Sequence, residues 1–461
     1  MPPKVPRPDP AAAFIERTLR DWRVIAALGA VLLIAPVPLV WLGWPWIRPL
    51  LESQFWFSLI LGGLAVFIVI HLDAAFILAE RKLSAFIQDR KGPNRVGFWG
   101  LLQPVADGIK FLLKEDYTPK QADKPVFILA PALAFVISLA GVAIIPWFDQ
   151  ITWPWTGPDG ETYTVVGQMA SLDIGLLYLL AFGAMSVYGV VLAGWASNNK
   201  YAFYGAMRAT AQMLSYEIPL GLGLLAVLLV AGSVRLEGIV ESQAASGVWN
   251  VFVHPLAFLL VLIAGFAETN RAPFDLAECE QELVAGYHTE YSSMKFALFF
   301  LAEYSHMVIG SALVTALFLG GWAPLPFTSW LADNHTWWAG LIKFSVFWGK
   351  ILLLIGLYMV VRWTLPRFRF DQLMRLAWKG MIPLGMVIVV VQGIATGLGW
   401  RIDPAAPWTA NLLAGGLMLG INILITLGVL WLMSRSRAPV TGRQDNLPDV
   451  IVPPAEARLA R

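Results

Sequence analysis

One cysteine, Cys279, stands in 461 residues. A lone thiol excludes an intrachain disulfide. It also excludes an iron–sulfur cluster held by this chain's own cysteines, because a cluster takes several thiolates. Charge is scarce too: 14% of residues are Asp, Glu, Lys or Arg, against about 25% in a soluble globular protein. There is no glycine-rich phosphate loop ending in Lys-Ser/Thr, no GxGxxG in a strand–turn–helix setting and no HExxH, so nucleotide chemistry is expected elsewhere. The opening MPPKVPRPDPAAAFIERTLRDWR is proline-rich and basic and lacks the short apolar core of a cleaved signal.

What is present is apolar sequence in long runs. Hydrophobic residues make up 57% of the chain, with 21 Trp, and the mean hydropathy is +0.64. Runs of about 20 apolar residues each suffice to cross a bilayer core. They predict ten spans at about 24–46, 55–79, 127–148, 172–196, 212–234, 254–270, 294–320, 341–365, 380–399 and 409–433. The fold class expected is therefore an all-α polytopic membrane protein. Pro36 and Pro38 predict a kink in the first span. The sixth is short and polar-ended.

Charge in the connections predicts orientation. Between Glu80 and Pro125 lie Arg81, Lys82, Arg90, Lys91, Arg95, Lys110, Lys114, Lys120 and Lys124. Lys200 and Arg208 follow the fourth span, and Arg367, Arg369, Arg375 and Lys379 follow the eighth. The opposite connections carry only Arg48, Arg235 and Arg401. The excess of bases places both tails and all the basic loops on the cytoplasmic side.

Four stretches carry candidate chemistry. In the loop ERKLSAFIQDRKGPNRVGFWGLLQPVADGIKFLLKEDYTP, GPN is turn chemistry. After it, Leu102, Val105, Ile109 and Leu112 recur at helical spacing, with Asp107, Lys110 and Lys114 on another face. This predicts an amphipathic helix, lying at the interface or against a partner. In AQMLSYEIPLG, Glu217 lies at or inside a span, and an ionisable group there is either paired, hydrated or at the solvated boundary. In FFLAEYSHMV, Glu303 and His306 stand at i, i+3 on one face, a pair suited to proton transfer or to an interhelical hydrogen bond. His71 and Asp73 in the second span pose the same question. The fourth stretch, AETNRAPFDLAECEQELVAGYHTEY, holds Glu268, Asp275, Glu278, Glu280, Glu282 and Glu290 against one base, Arg271. Pro273 is placed to start a helix, on which Asp275, Glu278 and Glu282 would share a face while Glu280 points elsewhere. Carboxylates so close predict coupled titration above the ordinary range. Interleaved Phe274, Leu276, Leu283, Val284, Ala285 and Tyr287 predict a folded, partly buried segment rather than a solvated loop.

These blocks together resemble those of the quinone-site membrane subunit of respiratory complex I, NADH:quinone oxidoreductase. The carrying motifs are ERK…Q-x-RKGPNRVG…GLLQPVADGIKFLLKE, GWASNNKYAFYGAMRATAQMLSYEIPLGL, AETNRAPFDLAECEQELVAGYHTEYSSMKFALFFLAEY and RFRFDQLMRLAWK. The resemblance runs from about Phe55 to Gly399. It implies an eight-helix core over 55–400, preceded by a basic tail (1–23) and an extra helix with its connection (24–54), and followed by another helix (401–434) and a tail (435–461). It implies a translocase subunit in the bacterial inner membrane, with no complete activity alone. Such a subunit forms the quinone entrance with hydrophilic-arm subunits and adjacent membrane-arm subunits, and couples quinone reduction to proton transfer. FMN and iron–sulfur clusters would reside in those partners, quinone would be the substrate, and this chain would hold no cofactor or metal of its own. Carried over by motif, Arg81, Arg90, Asp107, Lys110 and Arg271 match positions near the quinone passage and subunit junction. Glu217, Glu268, Asp275, Glu278, Glu280, Glu282, Glu290, Glu303 and Tyr304 match the proton path. Asp89 stands where an apolar residue usually precedes RKGPN, and His306 is not assigned by the resemblance. The alternatives are a homologous subunit of a membrane-bound hydrogenase-type complex and, against the missing internal repeats, a cation transporter.

Overall fold

The computed structural model describes residues 48–156, 162–323, 334–400 and 408–435. The expected first span at 24–46 with its proline kink, the tail 1–23 and the tail beyond 435 lie outside the described residues.

Among the described residues, eleven helices have eight residues or more: α1 (Gln54–Ile87), α2 (Gln103–Leu113), α3 (Lys124–Ala140), α4 (Gly175–Ala196), α5 (Lys200–Ala231), α6 (Leu236–Ser246), α7 (Pro255–Glu268), α8 (Ser293–Phe318), α9 (Trp337–Thr364), α10 (Phe370–Gly397) and α11 (Trp408–Arg435). Eight of these are long and apolar enough to cross a membrane: α1, α3, α4, α5, α8, α9, α10 and α11. The protein is thus an all-α multi-pass membrane protein, with a single two-stranded hairpin among the described residues. The short sixth span is α7, whose 14 residues reach about 21 Å at the α-helical rise. A one-turn helix, Asn250–Val253, precedes it and breaks at His254.

Three helices exceed the expected spans by eight residues or more, α10 among them, which begins at Phe370 and so carries Arg375 and Lys379. α1 runs on to Ile87, and α5 begins at Lys200, so Lys200 and Arg208 lie on a helix rather than in a loop. Hydropathy marks only the lipid-crossing part of a helix, and charged ends project beyond it. α5 starts where the Asn199 side chain accepts a bond from the Tyr201 amide at 2.9 Å, satisfying one of the unpaired first-turn donors. It ends at Gly232, which is left-handed at φ 65°. α10 contains a π-helical turn, Leu376–Met381.

The alternating directions of the spans gather the long connections at one end. There Tyr117 bonds Ser292 (3.1 Å), the Asp123 amide bonds the Ala196 carbonyl (3.1 Å) and the Phe368 amide bonds the Pro273 carbonyl (3.3 Å). The basic loop after α1 and the acidic segment after α7 therefore share one face. At the other end, β1 (Gln150–Thr156) and β2 (Thr162–Val166) pair antiparallel, with Gln150 opposite Val166 and Ile151 opposite Val165. The main core joins α1, α5, α7, α8 and α9. Within it Phe266 stacks on Tyr358 at 3.8 Å, and such pairs contribute about 1 kcal/mol beyond burial.

Candidate functional site

The acidic segment between α7 and α8 folds inward, but as an irregular chain. Only Glu280–Leu283 makes one α-helical turn, followed by a 3-10 turn at Gly286–His288. The helix expected from Pro273, with Asp275, Glu278 and Glu282 on one face, does not form. Side-chain anchoring outcompetes local propensity here. The fully buried Gln212 of α5 donates to Ala267 O (2.9 Å), Asn270 Oδ1 (3.0 Å) and Phe274 O (2.9 Å), pinning three points of the segment. At Gly286, φ is +58° and a Cβ would lie 1.8 Å from the Ala277 carbonyl oxygen, so only glycine permits this fold-back. Phe274, Leu276, Leu283 and Tyr287 are buried, as the interleaving predicted. Val284 is exposed.

Arg271 is the hub of what results. Its side chain is 7% exposed and donates to Glu80 Oε2 on α1 at 3.0 Å and to Glu303 Oε2 on α8 at 3.4 Å. Its guanidinium lies 3.8 Å from the Tyr304 ring centroid, an interaction worth about 2 kcal/mol when desolvated. Tyr304 Oη in turn donates to Glu80 Oε2 at 2.5 Å, and Arg362 of α9 pairs with Glu80 Oε1. Burial works against the Arg271 charge, but Tyr304, Glu303 and Glu80 outweigh it and its pKa is raised.

Behind this hub lie Asp275 and Glu278. Arg367 donates to Asp275 Oδ2 at 3.0 Å and to Cys279 Sγ at 3.1 Å. Burial nonetheless pushes the Asp275 carboxyl up to about 6, with Arg367 opposing and Glu303 assisting. Glu278 is held above its ordinary value by burial and by Asp275, and it hydrogen-bonds Glu303. Its Oε1 lies 3.7 Å from His288 Nδ1, and burial lowers the His288 pKa. Tyr287 is raised well above its usual value by burial and then by Glu278. Glu80, Asp275, Glu278 and Glu303 are four carboxylates, against three guanidiniums, Arg271, Arg362 and Arg367. Full ionisation would leave one buried negative charge uncompensated, and a carboxyl–carboxylate hydrogen bond between Glu278 and Glu303 requires a proton. The group is built to hold one proton in common.

The remaining candidates distribute as follows. Glu268 ends α7 and meets His306 Nε2 at 3.2 Å. It also lies within electrostatic range of Glu217 on α5. Glu268, Glu303 and His306 line one cavity of about 50 Å3. Glu282 is exposed and pairs with Arg208. Glu290 accepts from Asn199 Nδ2 at 2.6 Å. Glu280 begins the single helical turn, and its side chain lies outside the described residues.

The expected passage residues form a second group. Arg81 and Lys110 donate to Asp107 at 2.7 and 3.2 Å. Burial would raise the Asp107 carboxyl, but the Lys110 bond and the Arg81 charge outweigh it and hold it low. Arg90 bonds Gln88 at 2.7 Å, and Asp89 takes a positive φ of 49°. Arg271 belongs to the buried hub rather than to this surface group. Val105, Ile109 and Leu112 of α2 are exposed, as expected of an amphipathic helix.

Sequence reasoning missed Glu80, Arg362, Arg367 and Gln212 and gave Asp73 little weight. Asp73 is fully buried and accepts from Ser305 Oγ at 2.5 Å, whereas His71 bonds only its own helix, at Phe67 O (2.8 Å). Arg362 stands alone at the edge of an apolar run, and that isolation is the signal that was available, whereas Glu80 beside Arg81 and Lys82, and Arg367 beside Arg369 and Asp371, were masked by neighbouring charges.

Comparison with known proteins adds an independent finding. The NADH dehydrogenase family matches residues 59–393. A protein of Leptospira biflexa named as the H subunit of NADH-quinone oxidoreductase is 46% identical over 333 residues, 72% of this chain and 92% of its own length. H subunits of the same enzyme from Flavobacterium johnsoniae (45% over 347 residues, 74% of this chain and 96% of theirs) and from Geobacter sulfurreducens (45% over 356 residues, 76% and 97%) are similar.

Proposed function

This chain belongs to the NADH dehydrogenase family and is a multi-pass membrane subunit, of the H type, of the multisubunit enzyme NADH-quinone oxidoreductase, complex I; from that premise we propose that it couples quinone reduction to proton transfer through the buried group around Arg271. The observation behind this reading is the pairing of Glu80 and Glu303 with Arg271, with Glu278 bonded to Glu303 and Asp275 paired with Arg367 beside them, so that carboxylates outnumber guanidiniums.

Quinone reduced to quinol takes up two electrons and two protons. The electrons come from an iron–sulfur cluster of the hydrophilic partner subunits, among which FMN also resides. This chain supplies the membrane end of the quinone passage and a reservoir of protons beneath it. Arg81, Arg90, Asp107 and Lys110 line the basic end, where those partners dock. Negative charge developing on the reduced head group draws the shared proton from the Asp275–Glu278–Glu303 group. Reprotonation of the group then proceeds from the membrane-arm side through Glu217 and Glu268. By its bases that end faces the cytoplasm of a bacterial inner membrane, with both termini on the same side.

Replacing Glu278 with Gln in the assembled complex tests the reading. Quinone-coupled NADH oxidation is expected to fall about tenfold or more, a conservative share of what a positioned proton-transfer group contributes. Unchanged coupling in an intact complex would remove Glu278 from the path.

A further inference from the structure

The contact between His306 and Glu268 occupies a wall between two cavities. The first, about 50 Å3, is lined by Glu303, Tyr287 and Asn270 together with the pair itself. The second, about 60 Å3, is lined by Gly183, Gly265, Tyr358 and Gly310, again with the pair. Each exceeds the roughly 10–15 Å3 that one water requires, and each offers several polar partners. His306 and Glu268 line both.

The Glu268 carboxylate is held in a slot. On one side His306 Nε2 approaches Oε1 at 3.2 Å. On the other, a Cβ at Gly183 of α4 would lie 3.0 Å from the same Oε1, so the missing side chain leaves the room that the carboxylate fills. The charged and titratable groups facing the pair are Glu303 on His306's own helix, Tyr287 from the acidic segment, Glu217 on α5 and Tyr358 on α9. Among them only the imidazole presents two nitrogens that can take a proton on one side and release it on the other.

We propose that His306 is a proton-relay residue of this chain, passing protons between the Glu303 cavity and Glu268, and so joining the two cavities. A proton from Glu268 Oε1 binds Nε2, the proton on the other ring nitrogen passes to a water of the first cavity, and tautomer exchange resets the ring. The inference rests on the proton-path reading of the buried acids.

The test compares His306→Gln, His306→Leu and Glu303→Gln in the whole complex in membrane vesicles, reading quinone-coupled NADH oxidation, proton uptake and their pH profiles. Gln keeps an N–H near Nε2 and satisfies a purely positional role, but it cannot relay. The expected result is that Gln and Leu fall alike, by about tenfold or more, and change the pH profile alike. A Gln variant with wild-type rates and profile overturns the relay. Glu303→Gln separates the two ideas: a loss there with His306→Gln unaffected refutes only the relay, whereas no loss in either refutes the path itself. If the His306 variants fail to assemble, Gly183→Ala crowds Oε1 at 3.0 Å and forces the carboxylate to shift in its slot, disturbing the 3.2 Å contact with Nε2. It is expected to lower coupling about two- to fivefold, part of the cost of losing a positioned proton-transfer group. Wild-type coupling in that variant overturns the relay as well.

Discussion

Removing the guanidinium of Arg271 while keeping the volume of its stem, as Arg271→Met, strips the hub of its central charge. In the structure Arg271 is 7% exposed, holds Glu80 and Glu303 at 3.0 and 3.4 Å and covers Tyr304. Breaking a buried pair from one side costs about 3–5 kcal/mol. Glu80 keeps Arg362 and the Tyr304 hydroxyl, so the damage concentrates on Glu303. Glu303→Gln removes that stranded charge. The double variant is therefore expected to be less destabilised than the sum of the singles, by about 1–3 kcal/mol, the range for directly contacting groups. Arg271→Lys should fall between, since a single ammonium cannot span two carboxylates and stack on a ring. The assay is unfolding in mixed detergent micelles, followed by the fluorescence of the chain's 21 tryptophans. Additive singles, within about 0.5 kcal/mol, would refute the claim that Arg271 and Glu303 stabilise one another.

Three further outcomes are expected. Glu282→Gln should reduce coupling less than Glu278→Gln, because Glu282 is exposed against Arg208 while Glu278 is buried against Glu303; equal losses would contradict the ranking. Asp275, pushed up to about 6, should give a protonated-carboxyl infrared band that disappears as pH rises through about 6 and is absent in Asp275→Asn. The sign follows from its raised pKa: the folded protein keeps a proton that the unfolded chain has lost, so this group weakens folding as pH climbs from about 4 to about 6 and stops adding to that loss above. Asn422→Leu on α11 removes its bonds to Val253 O (3.1 Å) and Met418 O (2.9 Å). It strands the Val253 carbonyl at a cost of about 1–3 kcal/mol, read as easier proteolytic release of α11.

Eight of the expected spans were legible among the described residues because twenty apolar residues in a row have few other uses, and the basic loop after α1 and the acidic segment do share one end. The lengths of α1, α5 and α10 were not, because helices outrun their apolar cores. The acidic segment shows the limit most clearly. Its burial could be read from Phe274, Leu276 and Tyr287 alternating with acids. Its path could not, since that is set by Gln212, a residue some 60 positions away whose amide binds three groups of the segment. The same non-locality hid Glu80 and Arg362, which acquire meaning only when α1 and α9 bring them to Arg271. Periodicity sees neighbours along one helix, so it caught Glu303 and His306 on one face but not the Glu268 that completes the pair.

The most direct measurement is the paired rates of quinone reduction and of proton movement by the purified complex carrying Glu303→Gln, reconstituted in liposomes and supplied with NADH and quinone. Quinone reduction and proton movement are expected to fall together, by about tenfold or more, in a complex that still assembles. Wild-type turnover with wild-type proton movement would contradict the proton-path role, and would leave the Arg271 group a structural ion cluster.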